Sequence, residues 1–164
     1  TCFSGIDEFP ASTRDDLRIA MPVLRDCGVP LLVHAELESE LAELGGEPNP
    51  REYARYLHSR PKEWEDRAVA MVVELVRETG CRAHIVHLSS ADALQILRKA
   101  KAEGLPITAE TCPHYLIKNK DDPEGPLLKV NPPIQSKEDN EALWQGLADG
   151  SIQCIGTDHV VTSL

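Results

Sequence analysis

The chain has 164 residues and a formal net charge of −10, and it is 41% hydrophobic and 27% charged. This composition is typical of a soluble globular domain with a sizeable core, and the negative charge argues against nucleic acid or an anionic membrane surface as a partner. No apolar run approaches the ~20 residues of a membrane-spanning helix. The five cysteines form no Cys-x-x-Cys pair, which favours free thiols in a reducing, cytoplasmic compartment over disulfides.

Helical and strand patterns alternate from the start of the chain. Ser12 and Thr13 precede an acidic turn, and apolar residues at helical spacing continue to Gly28. This pattern predicts a capped helix that bends at Pro22. The run VPLLVHAE (29–36) is too short for a helix and predicts a buried strand. A loop containing GGEPNP (45–50) follows it.

The alternation continues to the end of the chain. The remaining predicted elements are a helix from Pro61 to Gly80, a strand at 81–88, a helix at 91–103 capped by Ser89 and Ser90, a strand at 105–111, a loop at 112–133, a helix from Ser136 to Gly150, and a strand at 151–159. Strands alternating with helices at this spacing predict parallel βαβ units.

An α/β chain with four parallel strands could be an open doubly wound sheet or part of a (β/α)8 barrel. The nucleotide-binding version of the open sheet needs a glycine-rich turn after a strand, and none is present. A complete barrel takes ~250 residues, so this chain would hold only part of one.

Three of the four predicted strands end in a residue that can bind a metal, namely His34, His87 and Asp158. The carboxyl ends of parallel strands line one mouth of the fold, so these side chains should meet there. Neutral imidazoles and a carboxylate are suitable ligands for Zn²⁺ or a similar divalent ion. Each residue also has an ordinary explanation, as a buried core histidine or a helix cap.

His84 and His87 form a His-x-x-His pair in the same predicted strand. Because side chains alternate between the faces of a strand, the two rings should not face the same side. We expect His87 to face the barrel interior together with Ala83 and Ile85, and His84 to face the helices. His159 has the wrong parity to join Asp158.

The two other histidines are interpreted without a functional role. His58 lies on a predicted helix face, and His114 lies in a Cys-Pro-His-Tyr loop. Contact with solvent or loop packing accounts for both.

Longer sequence blocks occur in order from Ser4 to His159: SGIDEFP, VHAELE, SRPKEWEDRAV, CRAHIVHLSSADAL, KAEGLPITAETCPHYL, NPPIQSKEDNEALWQGLADG and GTDH. These blocks resemble the cyclic amidohydrolase family. Within it they are most similar to allantoinase, which is akin to hydantoinase/dihydropyrimidinase and dihydroorotase.

The resemblance implies a metal-dependent (β/α)8 barrel, of which residues 1–164 would be a single-domain fragment, roughly strands 5 to 8 with their helices. His34 and His87 would be the metal ligands of the fifth and sixth strands. Asp158 would be the eighth-strand ligand and the catalytic general acid/base, and Asn131 would bind the substrate. The implied reaction is hydrolysis of allantoin, a cyclic ureide, to allantoate.

The implied cofactor is a pair of zinc ions bridged by a carboxylated lysine. No His-x-His occurs in this sequence, and the bridging lysine would fall before Thr1. We therefore expect this fragment alone to be inactive. The full-length parent is expected to be a homo-oligomer. Two smaller departures from the family pattern are Gln135, where the family has Arg, and Val160-Val161 after the Asp-His pair.

Two alternatives remain open for the function. The parent could be a dihydropyrimidinase/hydantoinase or a dihydroorotase. It could also be a metal-free relative that serves as a scaffold or oligomerisation protein, although the presence of His34, His87 and Asp158 weighs against this.

Overall fold

A computed structural model describes residues 11–37, 53–122 and 125–159. The SGIDEFP block, the GGEPNP loop and Val160-Val161 lie outside these ranges. The elements in chain order are α1 (Arg14–Asp26), β1 (Leu31–Val33), α2 (Tyr53–Ser59), α3 (Glu63–Thr79), β2 (Ala83–Ile85), α4 (Ala91–Ala102), β3 (Ile107–Thr111), α5 (Pro113–Ile117), a 3₁₀ helix (Gly125–Leu128), α6 (Lys137–Ala148) and β4 (Cys154–Ile155).

The four strands form a parallel arrangement in the order β1-β2-β3-β4, which is also their order along the chain. Leu32 lies beside His84, and His84 lies beside Thr108. Glu110 lies beside Cys154. The parallel α/β class predicted from the alternating patterns is confirmed.

Local signals in the sequence explain where the helices begin and end. Thr13 and Ser136 each close a capping box with the aspartate three residues later, at the starts of α1 and α6. The Ser90 hydroxyl accepts from two backbone N–H groups at the start of α4. Gly80 ends α3 in the left-handed conformation that glycine adopts without a steric penalty. Helix α1 continues through Pro22 as one element.

The core lies between one face of the sheet and the helices. Val33, Ala83, Ile85, Ile107 and Ala109 point to this face and are almost completely buried. Helices α1, α3, α4 and α6 pack side by side over it. Each large apolar side chain buried in this way contributes about 1.5–3 kcal/mol, so this face supplies much of the stability.

The opposite face, which we call the open face, carries Leu32, His84, Thr108 and Glu110. Leu32 is 52% exposed there, and Thr108 is also exposed. The prediction that His84 faces the helices is therefore wrong. Ala83 and Ile85 face the helices, and His84 lies on the open face in contact with Thr108.

The region 112–133 is not a plain loop as predicted, because it contains α5 and the 3₁₀ helix. The chain that follows is fixed by three tyrosine hydroxyls, each of which donates to a backbone carbonyl. The pairs are Tyr56 with Val130, Tyr115 with Pro132, and Tyr53 with Ile134.

Two further sequence expectations concern helices and thiols. Within the described ranges, no helix has the length and apolar character needed to cross a membrane. The described cysteines are free: Cys81 and Cys112 are buried, and Cys27 and Cys154 are exposed.

Candidate functional site

Two histidines meet beyond the carboxyl ends of β1 and β2. The Nδ1 atom of His34 lies 3.0 Å from the Nε2 atom of His87. The rings meet edge to face, with centroids 4.7 Å apart. Both side chains are largely shielded from solvent, at 12% exposure for His34 and 5% for His87. The prediction that these strand ends bring the two imidazoles together agrees with this geometry.

His87 reaches this position because the backbone leaves the strand pattern after β2. Its φ angle is 43°, in the left-handed region that residues with a Cβ rarely adopt. The next residue, Leu88, is held by Glu110 and Thr111 of β3: its N–H donates to the Glu110 carbonyl, and its carbonyl accepts from the Thr111 hydroxyl. Strand alternation from Ile85 therefore does not apply to His87, and this is why the predicted facing of His84 was wrong.

Glu65 fixes the chain directly after His87. It is fully buried on α3 and accepts two hydrogen bonds from Ser89, one from the backbone N–H at 2.9 Å and one from the hydroxyl at 2.6 Å. Burial raises the pKa of Glu65 to about 8 despite these hydrogen bonds. The expectation that Ser89 and Ser90 both cap the helix holds only for Ser90.

A carboxylate and a guanidinium orient His34. The Nε2 atom of His34 lies 2.8 Å from a carboxylate oxygen of Glu36, and Arg60 donates to the same oxygen at 3.0 Å. An ionised carboxylate only accepts, so the His34 Nε2–H donates and Nδ1 carries the lone pair. The free lone pair of His34 thus points at His87, as in metal sites where a carboxylate fixes the tautomer of the ligand.

His87 is held in its neutral form. Burial is the main cause that lowers its pKa to about 4, His34 adds to the shift, and the charge of Asp158 opposes it. The His87 Nδ1 atom is buried without a hydrogen-bond partner among the described residues. A neutral imidazole is the form that binds a metal, and two imidazole nitrogens that face each other could hold a divalent cation.

Asp158 lies just beyond β4 and is exposed. Its φ angle of 48° is also left-handed. Its charge acts on His87, and it contributes, after burial, to raising the pKa of Cys112 to about 12. In the described part of the chain, Asp158 does not form a group with His34 and His87 in which all three ligand atoms lie within 4.8 Å of one another.

Asn131 joins this region through Tyr56. The Tyr56 hydroxyl, which donates to the Val130 carbonyl, is also in contact with the side-chain oxygen of Asn131. Burial raises the pKa of Tyr56. The charge of Arg60 lowers this pKa, and the charge of Glu36 raises it further. A polar chain of residues therefore leads from His34 through Glu36 and Arg60 towards Asn131.

Sequence reasoning missed Glu36, Arg60 and Tyr56 as members of this region. Glu36 shares strand parity with His34, which was an available signal. Arg60 and Tyr56 lie in a segment without a strong helical pattern, and their partners are distant in sequence. His58 is exposed, and the His114 ring packs edge to face on Tyr115 with centroids 4.2 Å apart, in agreement with the interpretation given to each.

Comparisons with known proteins agree with the resemblance seen in the sequence. The chain is 42% identical over 158 residues to allantoinase of Streptomyces avermitilis, covering 95% of this chain and 35% of that protein. It is 41% identical over 165 residues to mitochondrial allantoinase of Aquarana catesbeiana, covering 96% of this chain and 34% of that protein. A search of protein-family models found no match.

The fold is also that of a solved hydantoinase. L-hydantoinase (dihydropyrimidinase) from Arthrobacter aurescens superposes with a TM-score of 0.86 at 32% sequence identity, over 96% of this chain and 36% of that chain. The four parallel strands therefore match part of a (β/α)8 barrel, as predicted.

By fold and sequence, the chain is similar to proteins named hydantoinase and allantoinase, which belong to a class of generally metal-dependent hydrolases that act on C–N bonds in cyclic amides. Within that class its sequence relatives are allantoinases, and it spans about 35% of the length of the curated relatives it matches.

Proposed function

We propose that this chain is part of the catalytic barrel of an allantoinase, which opens a cyclic ureide by hydrolysis. The observation that carries the proposal is the buried pair His34 and His87, with ring nitrogens 3.0 Å apart at the carboxyl ends of parallel strands. In (β/α)8 barrels, this end of the sheet holds the active site.

His34 and His87 would hold a divalent metal, with Asp158 as a further ligand. The donor set fits such an ion, since His34 presents a lone pair fixed by Glu36 and His87 is neutral at physiological pH. The metal would be zinc, as a pair of ions bridged by a carboxylated lysine that lies outside this chain. When bound, zinc lowers the pKa of a bound water and polarises a carbonyl.

Asp158 would move the proton during hydrolysis. Water adds across the ring amide bond, so the carbonyl carbon gains a hydroxyl group and the ring nitrogen gains a proton. Asp158 would take the proton from the attacking water and deliver it to the departing nitrogen. Its exposed position beyond β4 leaves it accessible to a small ligand.

Asn131 would bind the substrate. Its side-chain oxygen is in contact with Tyr56, so the Asn131 amide N–H groups and the backbone would be the groups presented to the ring. Glu36 and Arg60 would position His34 and would not contact the substrate.

We also propose that residues 1–164 form one part of a single barrel domain, and that this fragment alone is inactive. Its parent would act on a small cyclic ureide, without nucleic acid or membrane, as a homo-oligomer. A cytoplasmic location is proposed from the free thiols, although one relative carries the name mitochondrial.

The test is turnover of allantoin, hydantoin and dihydroorotate by the purified full-length parent. Hydrolysis of allantoin with the highest kcat/KM supports the proposal. Preference for hydantoin would favour the second candidate, a hydantoinase, to which the solved relative at TM-score 0.86 points. Turnover of none of the three in a protein that carries metal would overturn both.

Two variants locate the chemistry, with one matched control. Asp158→Asn should lower kcat by roughly 10²–10⁴-fold, the usual contribution of general acid/base catalysis. His87→Ala should remove bound metal and activity together. The control is His58→Ala, which removes an exposed imidazole outside the site and should leave kcat, KM and metal content unchanged.

A further inference from the structure

A second group of metal-binding side chains lies on the open face. Within the described residues, one group of three His, Cys, Asp or Glu side chains has ligand atoms that all lie within 4.8 Å of one another, and it consists of His84, Glu110 and Cys154. These residues come from β2, β3 and β4, and they share no member with the pair His34 and His87.

The sheet register brings the three together. Glu110 and Cys154 are paired directly across β3 and β4. His84 is paired with Thr108, two residues before Glu110 and on the same face of β3. The Nε2 atom of His84 lies 3.5 Å from a carboxylate oxygen of Glu110, and the Cys154 sulfur lies 3.8 Å from the same oxygen.

These separations suit a tetrahedral zinc ion. Zinc binds nitrogen and oxygen at about 2.0–2.2 Å and sulfur at about 2.3 Å, so neighbouring ligand atoms in a tetrahedral site lie roughly 3.3–3.8 Å apart. The observed N–O distance of 3.5 Å and S–O distance of 3.8 Å fall in this range, and the ligand atoms of His84 and Cys154 lie within 4.8 Å of each other.

Thr108 orients His84. The Thr108 hydroxyl lies 2.7 Å from the His84 Nδ1 atom and 3.4 Å from the Ala83 carbonyl. This contact turns Nε2 towards the Glu110 carboxylate. In the tautomer with the proton on Nδ1, Nε2 offers the lone pair that a metal ligand needs.

The backbone leaves room for this carboxylate. A Cβ atom at Gly156 would lie 2.7 Å from one carboxylate oxygen of Glu110. Glycine at this position therefore allows Glu110 to lie against β4, next to the Cys154 sulfur. This space is independent of the His84–Thr108 contact.

We propose that His84, Glu110 and Cys154 form a second divalent-cation site, of the class that takes Zn²⁺, on the open face of the sheet. Its fourth ligand would be water or another residue of the intact protein. The site does not depend on the proposed hydrolase activity, because it uses different residues and can be detected by metal binding alone.

The experiment is cobalt substitution of the intact, metal-stripped protein. Cobalt bound to a thiolate gives an intense sulfur-to-metal charge-transfer absorption, which ligation by nitrogen and oxygen alone does not give. We expect this absorption in the wild-type protein and its loss in Cys154→Ser. It should persist in His87→Ala, which removes a residue of the other site.

Cys27→Ser is the matched control, since Cys27 is also an exposed free thiol but lies at the end of α1. The absorption should be unchanged in this variant. Thr108→Val should weaken cobalt binding about 10–100-fold, the usual effect of removing a group that orients a ligand. Circular dichroism of each variant checks that it is folded.

The proposal is overturned if the wild-type protein shows no thiolate absorption, or if the absorption survives in Cys154→Ser. It is also overturned if Glu110→Gln leaves cobalt affinity unchanged, because His84 and Cys154 would then bind without the carboxylate. Activity measurements are not needed, so failure of the hydrolase proposal would be seen separately.

Discussion

The two faces of the sheet have opposite character although the same four strands supply both. The helix-covered face is formed by small and branched apolar side chains that are almost fully buried, such as Val33, Ile85 and Ala109. The open face carries Leu32, His84, Thr108 and Glu110, which are exposed or partly exposed. In residues 1–164, one face therefore holds the apolar core, whereas the other face and the strand ends carry the polar groups that could bind ligands.

The largest effect on stability should come from truncating a side chain on the helix-covered face. A matched truncation on the open face of the neighbouring strand should have a much smaller effect. Ile85→Ala removes a fully buried side chain and should lower the free energy of unfolding by roughly 2–5 kcal/mol. In the 164-residue chain, Leu32→Ala changes a side chain that is 52% exposed and should cost no more than about 1 kcal/mol. Urea denaturation of both variants measures the difference, and equal losses would contradict the division between faces.

A pH-dependent effect should come from Glu65, which lies behind the strand ends on the helix-covered side. Its pKa is raised from 4.5 to about 8 in the folded chain by burial. The proton is held more tightly in the folded state, so this contribution is fully present below pH 4.5 and is lost as pH rises through about 8. The loss should approach about 1.4 kcal/mol per pH unit inside that window.

Glu65→Gln imitates the protonated carboxyl and removes this dependence. Thermal unfolding from pH 5 to 8 should show wild-type stability falling relative to the variant as pH rises. The interpretation of Glu65 fails if the two profiles stay parallel. Glu63→Gln, at the start of the same helix, is the control and should track the wild type.

A smaller effect tests how tightly the helices cover their face. A Cβ atom at Gly146 on α6 would lie 2.9 Å from a Leu94 methyl carbon and 3.0 Å from one of Ile152. Gly146→Ala should therefore destabilise through overpacking by about 1–2 kcal/mol, after the better helix propensity of alanine is included. Gln145→Ala, on the exposed side of the same helix, should stay within about 0.5 kcal/mol of the wild type.

The smallest effect concerns the rim of the covered face. Thr13→Ala removes the side-chain half of the capping box at α1 and should cost about 1 kcal/mol. Thr13→Ser should restore most of this loss. Chemical denaturation resolves the difference, and a neutral Thr13→Ala would show that α1 does not depend on its cap.

Much of the fold could be predicted from local sequence signals. The caps at Thr13, Ser90 and Ser136 and the stop at Gly80 act within a few residues, and they located four helices closely. Helix α5 was not predicted, because its short PHYLI segment lies among proline, aspartate and glycine residues that are typical of loops. The facing of β2 was wrong because it was extrapolated through His87, whose left-handed backbone ends the alternation.

The candidate site was predictable only in part. The positions of His34 and His87 at neighbouring strand ends follow from parallel topology. The residues that hold these histidines in place could not be predicted in the same way. Glu36 and Arg60 are 24 residues apart, and Glu65 and Ser89 are separated by the same number of residues. Such pairs depend on how α2 and α3 pack against the sheet, and no local pattern encodes that packing.

The most direct test of the central claim is anomalous X-ray diffraction at the zinc edge from crystals of the intact protein. The account predicts an anomalous peak at the nitrogens of His34 and His87, lost in His87→Ala and retained in His58→Ala. Occupied zinc sites elsewhere, with no peak between these two imidazoles, would contradict it.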